Sequence, residues 1–346
     1  MYIISFTDNK TGEVITKKVL SLTDKNITLA KNNFSNIDYL FEEALKIHAT
    51  DITKRYTTFY KTKRNGKHRR IDIPDDKLKK YMRDVNYVFT NLLGFIFPDY
   101  IYAYVKKRSA KQAAQKHIGA YAIIKFDIEN FFGNCTLENV MKALQIIYPF
   151  CLIDTYKLET IIKACMINYD GNFRLPQGAP SSPLISNLTM IPIDTFFASN
   201  ASLTYTRFAD DITFSAKYKA NVLTFNSLLK SVSTQLEAYG FNINYSKSNF
   251  LKTYYGNVKI LGISVGKKEI KIGNKNKQHI KAKIWNFLKD TSNGKTWSKK
   301  EVQQLEGQVS QLKLIEPDFI NYIIKKYEFK TKNNYKKSVK KILCSK

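Results

Sequence analysis

Cysteine is scarce in this chain. Cys135, Cys151, Cys165 and Cys344 are the four present, and none forms a C-x-x-C pair or stands at zinc-ligand spacing with histidine. That argues against a zinc module or a disulfide scaffold and suits reduced thiols in a cytoplasmic protein. Long apolar runs are missing as well. None approaches the ~18 residues of a membrane span, so no membrane partner is expected. The opening stretch, MYIISFTDNK, lacks the basic and apolar regions of a signal peptide. No segment repeats. The largest shortfall is in acid: 29 Asp and Glu stand against 56 Lys and Arg, a formal net charge of +27 over 346 residues. Part of that surplus reflects a lysine-rich composition, but composition does not explain why the charge clusters. Such a surface attracts polyanions. Apolar residues make up 44% of the chain, enough for a sizeable core and for more than one lobe.

Local patterns divide the chain. Residues 1–45 read as an accessory segment, with a strand at Tyr2–Phe6 and a turn at Asp8–Gly12. The stretch KRNGKHRRIDIP at 63–74 is a basic turn running into a strand, and a helix follows over Asp76–Leu93. AIIKFD at 122–127 suits a buried strand ending in an acid. Thr136 fits an N-cap, with Val140, Ala143, Leu144 and Ile147 at helical spacing. Residues 203–208 and 212–215 read as two strands joined by Ala209-Asp210-Asp211. An amphipathic helix then carries Phe225, Leu228, Val232, Leu236 and Tyr239, with Gly240 as its C-cap. Ser298–Glu301 fits a capping box for a helix bearing Val302, Leu305, Val309 and Leu312, and Pro317 suits the first turn of another. From Lys325 onward there are nine lysines and one acid.

Asp127, Asp210 and Asp211 carry the chemical signal. An Asp pair in a hairpin turn is often only solvated. Here apolar strands flank the pair, and a third aspartate ends another buried-type strand. Burying such acids without partners is costly. Three carboxylates at strand ends can hold two Mg²⁺ ions, and two such ions stabilise the attacking and leaving oxygens of a phosphoryl displacement.

The order of segments is a basic stretch, D-I-E-N-F-F at 127–132, L-P-Q-G-A-P-S-S-P-L-I-S-N-L at 175–188, and F-A-D-D at 208–211. This order and its spacing resemble the reverse transcriptase family. The resemblance implies an α+β right-hand polymerase, with fingers and palm over 46–270 and a helical thumb and basic tail over 271–346. The palm would be an antiparallel sheet backed by helices. It implies an RNA-directed DNA polymerase using dNTPs and two Mg²⁺ ions. Asp127, Asp210 and Asp211 would be metal ligands, joined by the carbonyl of Ile128. Phe132 would be the steric gate against a 2′-hydroxyl. Lys63 and Arg69 would clamp the triphosphate, with Arg64, Lys67 and Arg70 as competitors. Gln177 would lie near the incoming nucleotide and template. Lys247 would protonate the departing pyrophosphate, and Lys259–Ile263 would form the primer grip. From Lys247 to Lys283 there are ten lysines and one acid, a run suited to tracking a phosphate backbone.

Within that family, Tyr104-Val105-Lys106-Lys107-Arg108-Ser109 followed by Ala113–His117 resembles a retron signature. Arg108, Ser109, Ala114 and His117 match it. Lys107 stands where glycine is usual and Ala113 where asparagine is. Phe208 replaces the usual tyrosine of Y-A-D-D, and of V-T-G only Gly262 remains. The stretch after the polymerase segments is short, so a maturase, endonuclease or RNase H domain is not expected in it. A retron enzyme would copy a structured non-coding RNA that serves as template and primer. It would start from a 2′-hydroxyl and leave single-stranded DNA on a branched RNA. It would act in antiphage defence with an effector protein. The alternatives are another bacterial reverse transcriptase or a non-catalytic RNA-binding scaffold.

Overall fold

The computed structural model describes residues 2–7, 14–19, 35–62, 66, 68–92, 97–169, 171–218, 222–253 and 256–330. The expected turn at Asp8–Gly12, the basic residues Lys63, Arg64 and Lys67, and the lysine-rich stretch beyond 330 lie outside them. In chain order the elements are β1 (Tyr2–Thr7), β2 (Val14–Val19), α1 (Ser35–His48), β3 (Tyr56–Thr62), β4 (His68–Pro74), α2 (Asp76–Tyr87), α3 (Ala110–Gln115), β5 (Ala122–Asp127), α4 (Phe131–Asn134), α5 (Leu137–Leu144) and α6 (Thr155–Lys163). Then follow β6 (Ile167–Tyr169), β7 (Asn172–Arg174), α7 (Ser182–Ala198), β8 (Thr204–Phe208), β9 (Asp211–Ala216), α8 (Val222–Glu237), β10 (Asn249–Lys252), β11 (Val258–Ile260), β12 (Ile263–Val265), β13 (Ile270–Lys271), α9 (Asn274–Ser292), α10 (Lys299–Ile315) and α11 (Pro317–Lys330). The accessory boundary expected at residue 45 falls inside α1.

The chain forms two units, one of residues 1–109 and 124–250, the other of 110–123 and 251–346. The first is built on a sheet with strand order β10-β5-β9-β8. The apolar run at 122–127 gives β5, buried at every position but Lys125. β8 and β9 pair antiparallel, with Phe208 opposite Asp211. The core of this unit includes Phe126, Ile212 and Phe214 from the sheet and Val140, Leu144, Ile185 and Leu188 from α5 and α7. Local signals set the helix ends. The Thr136 hydroxyl accepts from the Asn139 amide at 3.3 Å, which starts α5. Pro183 lies in the first turn of α7. α2 continues as a π-helix over Val88–Leu92, so the helix expected over Asp76–Leu93 is present as far as Leu92, the last described residue there, with a change of pitch.

The second unit has its own core of Ile280, Ile284, Leu288, Leu305, Val309, Leu312, Ile320 and Ile323 beneath the β11-β12-β13 sheet. The capping box is present: the Ser298 amide donates to Glu301 Oε2 at 2.9 Å, and the Glu301 amide to Ser298 Oγ at 3.3 Å. β11 and β12 form the expected hairpin at Lys259–Ile263, with Leu261 and Gly262 at φ 50° and 80°. No helix among the described residues is long and apolar enough to cross a membrane. Cys135, Cys151 and Cys165 are buried thiols that share no disulfide among the described residues.

Candidate active site

The two-residue turn between β8 and β9 places Asp210 at its tip. Ala209 takes φ 56°, which an L-residue adopts at some cost. The turn is held from behind. Arg207, fully buried on β8, donates Nε and Nη2 to the two oxygens of Asp194 at 2.8 and 2.7 Å. Its Nη1 reaches Asn187 Oδ1 at 2.9 Å and the Ala209 carbonyl at 3.2 Å. The Tyr205 hydroxyl donates to Asp194 Oδ1 at 2.5 Å. The Asp210 carbonyl in turn accepts the Ile128 amide at 3.0 Å, tying the turn to the end of β5, where Asp127 sits.

One cleft of about 880 Å³ gathers Asp127, Ile128, Asp210, Lys247, Phe132, Gln177 and Arg69. Asp211 is half-buried at the start of β9 and is not among the lining residues. Lys63 lies outside the described residues. Burial raises the Asp210 carboxyl above the usual range, and Asp127 adds to the rise against the opposing Lys247 and Arg69. Burial, then Asp210 and Asp127, pushes Asp211 up to about 6. Lys247 Nζ donates to both oxygens of Asp127 at 2.9 Å, and that bond raises the ammonium pKa. Among the described residues no three His, Cys, Asp or Glu side chains are grouped closely enough to hold a metal by themselves.

Geometry separates the competing arginines. Arg70 donates to Asp72 Oδ1 at 2.9 Å and lies 4.4 Å over the ring of Tyr169, so it is committed to the protein. Arg69 is the one whose charge acts on Asp210. Asp72, missed in the sequence, is a hub. It is 2% exposed and also accepts from Thr58 at 2.6 Å and from Tyr169 at 2.5 Å. Its amide donates to the Gln177 carbonyl at 2.8 Å, which fastens the β3–β4 hairpin to the L-P-Q-G segment. Gly178 is required there: at φ 124° a Cβ would stand 2.9 Å from the Asp72 carbonyl. An acid inside a strand of basic residues was the only sequence signal for Asp72. Tyr104 and Glu129 also line the cleft. Lys107, standing where the signature has glycine, adopts φ 63°, the conformation a glycine would take.

A family model for reverse transcriptase (RNA-dependent DNA polymerase) matches residues 61–265. Retron Ec86 reverse transcriptase of Escherichia coli is 29% identical over 244 residues, covering 69% of this chain and 72% of that one. Retron Ec83 reverse transcriptase of Escherichia coli is 27% identical over 298 residues, 83% of this chain and 92% of that one. Retron Mx65 reverse transcriptase of Myxococcus xanthus is 28% identical over 226 residues, 61% and 51% of the two chains. Among solved structures, telomerase from Candida Tropicalis in complex with a TWJ fragment of telomeric RNA superposes with TM-score 0.51 at 13% identity, over 88% of this chain and 60% of that one. That likeness is one of fold, an α+β right-hand polymerase with an antiparallel sheet and helices. The family works with divalent metal ions and dNTPs. This chain belongs to the reverse transcriptase (RNA-dependent DNA polymerase) family and is an RNA-directed DNA polymerase of the retron type.

Proposed function

We propose that this polymerase copies a structured non-coding RNA into single-stranded DNA, using that RNA as template and primer. The observation that carries the reading is the convergence of Asp127, Asp210, Lys247, Arg69, Phe132 and Gln177 on one cleft. The donor set suits Mg²⁺. It offers hard oxygens, and magnesium binds through one or two carboxylates while substrate phosphates fill the rest of its shell. Asp127 and Asp210, with the Ile128 carbonyl, would hold the ions, and Asp211 would be the outer acid. The raised Asp210 and Asp211 supply the electrostatic reason, because a cation relieves the repulsion of desolvated carboxyls. When bound, two such ions stabilise the attacking and leaving oxygens of an in-line displacement.

The protein's side chains do the rest. Arg69 binds triphosphate oxygens, with Lys63 as the second clamp. Phe132 packs against the sugar and leaves no room for a 2′-hydroxyl. Gln177 sits beside the nucleotide and template. Lys247, at present paired with Asp127, delivers its proton to the departing pyrophosphate. The helices and lysines of the second unit grip structured RNA. The retron kinship supports initiation from a 2′-hydroxyl, a branched RNA–DNA product and a cytoplasmic antiphage role with an effector protein. The scaffold alternative is disfavoured, because clustered acids with raised pKa burden a protein that does no metal chemistry.

The test is Asp210→Asn in cells and with purified protein. The wild-type preparation should carry a small RNA joined to DNA through a branch. The variant should lose DNA synthesis while still folding and retaining the RNA. Activity near wild type would sink the metal role. Random cellular RNA in the wild-type preparation, with ordinary primers extended equally well, would sink the retron substrate.

A further inference from the structure

The loop at residues 97–108 is restrained along its length and ends at the cleft. Arg108 donates to the carbonyls of Phe97 and Ile101 at 2.6 Å each and also to that of Pro98. The Tyr102 amide donates to the Arg207 carbonyl, and the Arg207 amide to the Tyr100 carbonyl, both at 2.9 Å. Asn187, already bound to the Arg207 guanidinium, gives its Nδ2 to the Ala103 carbonyl at 2.9 Å. These bonds bracket Tyr104, which takes φ 61°. A non-glycine residue is held there only when its surroundings over-determine it, and such strain gathers at functional sites. The chain thus carries a large ring where the backbone alone favours glycine.

That ring lies in the cleft beside the proposed gate. Its centroid is 6.4 Å from that of Phe132, with the planes tilted by 45°. Phe132 also meets Phe131 at 5.5 Å, and Phe131 is fixed in the core against Phe241 at 5.9 Å. Phe132 is itself only half-buried. Among the described residues, one of its ring neighbours is anchored in the core, and the other is Tyr104 on its clamped loop. Without Tyr104 the gate would lose a wall and gain rotamers that swing it away from the sugar.

We propose that Tyr104 is a positioning residue for sugar selection, its ring holding Phe132 in the orientation that excludes a 2′-hydroxyl. The inference rests on the reading of Phe132 as the gate. It assigns the work to the ring and not to the phenolic oxygen.

The experiment is single-nucleotide primer extension with a dNTP and its matching rNTP. It compares kcat/KM for the wild type, Phe132→Ala, Tyr104→Phe, Tyr104→Gly and the Phe132→Ala/Tyr104→Gly double variant. Tyr104→Gly removes the ring and relaxes the backbone at once, so misfolding is not built into the test. It should raise the rNTP/dNTP ratio by about 3- to 10-fold, the scale of one ring–ring contact. Tyr104→Phe should keep the wild-type ratio. The double variant should match Phe132→Ala alone, because Tyr104 has nothing left to act through. If Phe132→Ala raises the ratio and Tyr104→Gly does not, or if the two effects add in full, this inference is wrong while the gate stands. If Phe132→Ala leaves the ratio unchanged, the gate reading fails and this inference falls with it.

Discussion

Asp194→Asn is the sharpest probe of how the catalytic turn is held. Asp194 and Arg207 are both 0% exposed, and their bidentate bond at 2.8 and 2.7 Å is, among the described residues, the only carboxylate contact of that guanidinium. The substitution keeps shape and removes charge. It leaves Arg207 with neutral partners, Asn187 Oδ1 and the Ala209 carbonyl, and turns an amide against a guanidinium. Breaking one side of a buried pair costs about 3–5 kcal/mol. At about 2 °C per kcal/mol for a larger chain, the thermal midpoint should fall by about 6–10 °C. The companion variant is Asp194→Leu/Arg207→Met. Replacing a whole buried pair by apolar groups is often nearly neutral, but here it strands the Tyr205 hydroxyl and Asn187 Oδ1, so part of the lost stability should return. DNA synthesis should not return with it, because the bond from Arg207 to the Ala209 carbonyl is gone and the turn bearing Asp210 loses its rear support. Thermal melts and primer extension on the same preparations read both effects. A midpoint shift under about 2 °C for Asp194→Asn would refute the energetic argument. Full activity in the stable double variant would refute the positioning argument.

Two further outcomes follow from the site and from the second unit. The folded-state pKa of Asp211 is about 6, above the ordinary carboxyl value, so between about pH 4 and 6 the folded protein binds more protons than the unfolded chain. Its contribution to stability therefore falls as pH rises through that window and stays low above it. In chelator, wild type should gain stability relative to Asp211→Asn on going from pH 7 to pH 5, and Mg²⁺ should flatten that difference; a difference of opposite sign would count against the burial argument. In the second unit, Lys299 and Lys300 are exposed and Lys281 and Lys283 half-buried on α9 and α10. Replacing all four with Ala should weaken RNA binding and lower its log–log salt slope by up to about 4 units, leaving extension of a simple annealed primer less affected; an unchanged slope in filter binding would remove these lysines from the interface.

Much of the scaffold was legible before any coordinates. β5, the β8–β9 hairpin, the Thr136 cap, the Ser298–Glu301 box and Pro317 at the head of α11 are local events. Their signals lie within a few residues of chain, in periodicity, capping oxygens and turn chemistry. The order of the D-I-E-N-F-F, L-P-Q-G and F-A-D-D segments named the chemistry, and the charge of +27 named its polyanionic partner. Partner choice over distance was not legible. Nothing local says that Arg70 turns to Asp72 and Tyr169 and leaves Arg69 to act on Asp210, or that Lys247 among many lysines meets Asp127 across 120 residues. Arg207 finds Asp194 in the core, and Asn187 links that pair to the loop bearing Tyr104, only because β8, α7 and residues 97–108 pack together. Sequence alone determined which elements form and which acids matter. Tertiary structure decided which charges are desolvated against which partners, because burial and pairing depend on segments that meet only when the chain has folded.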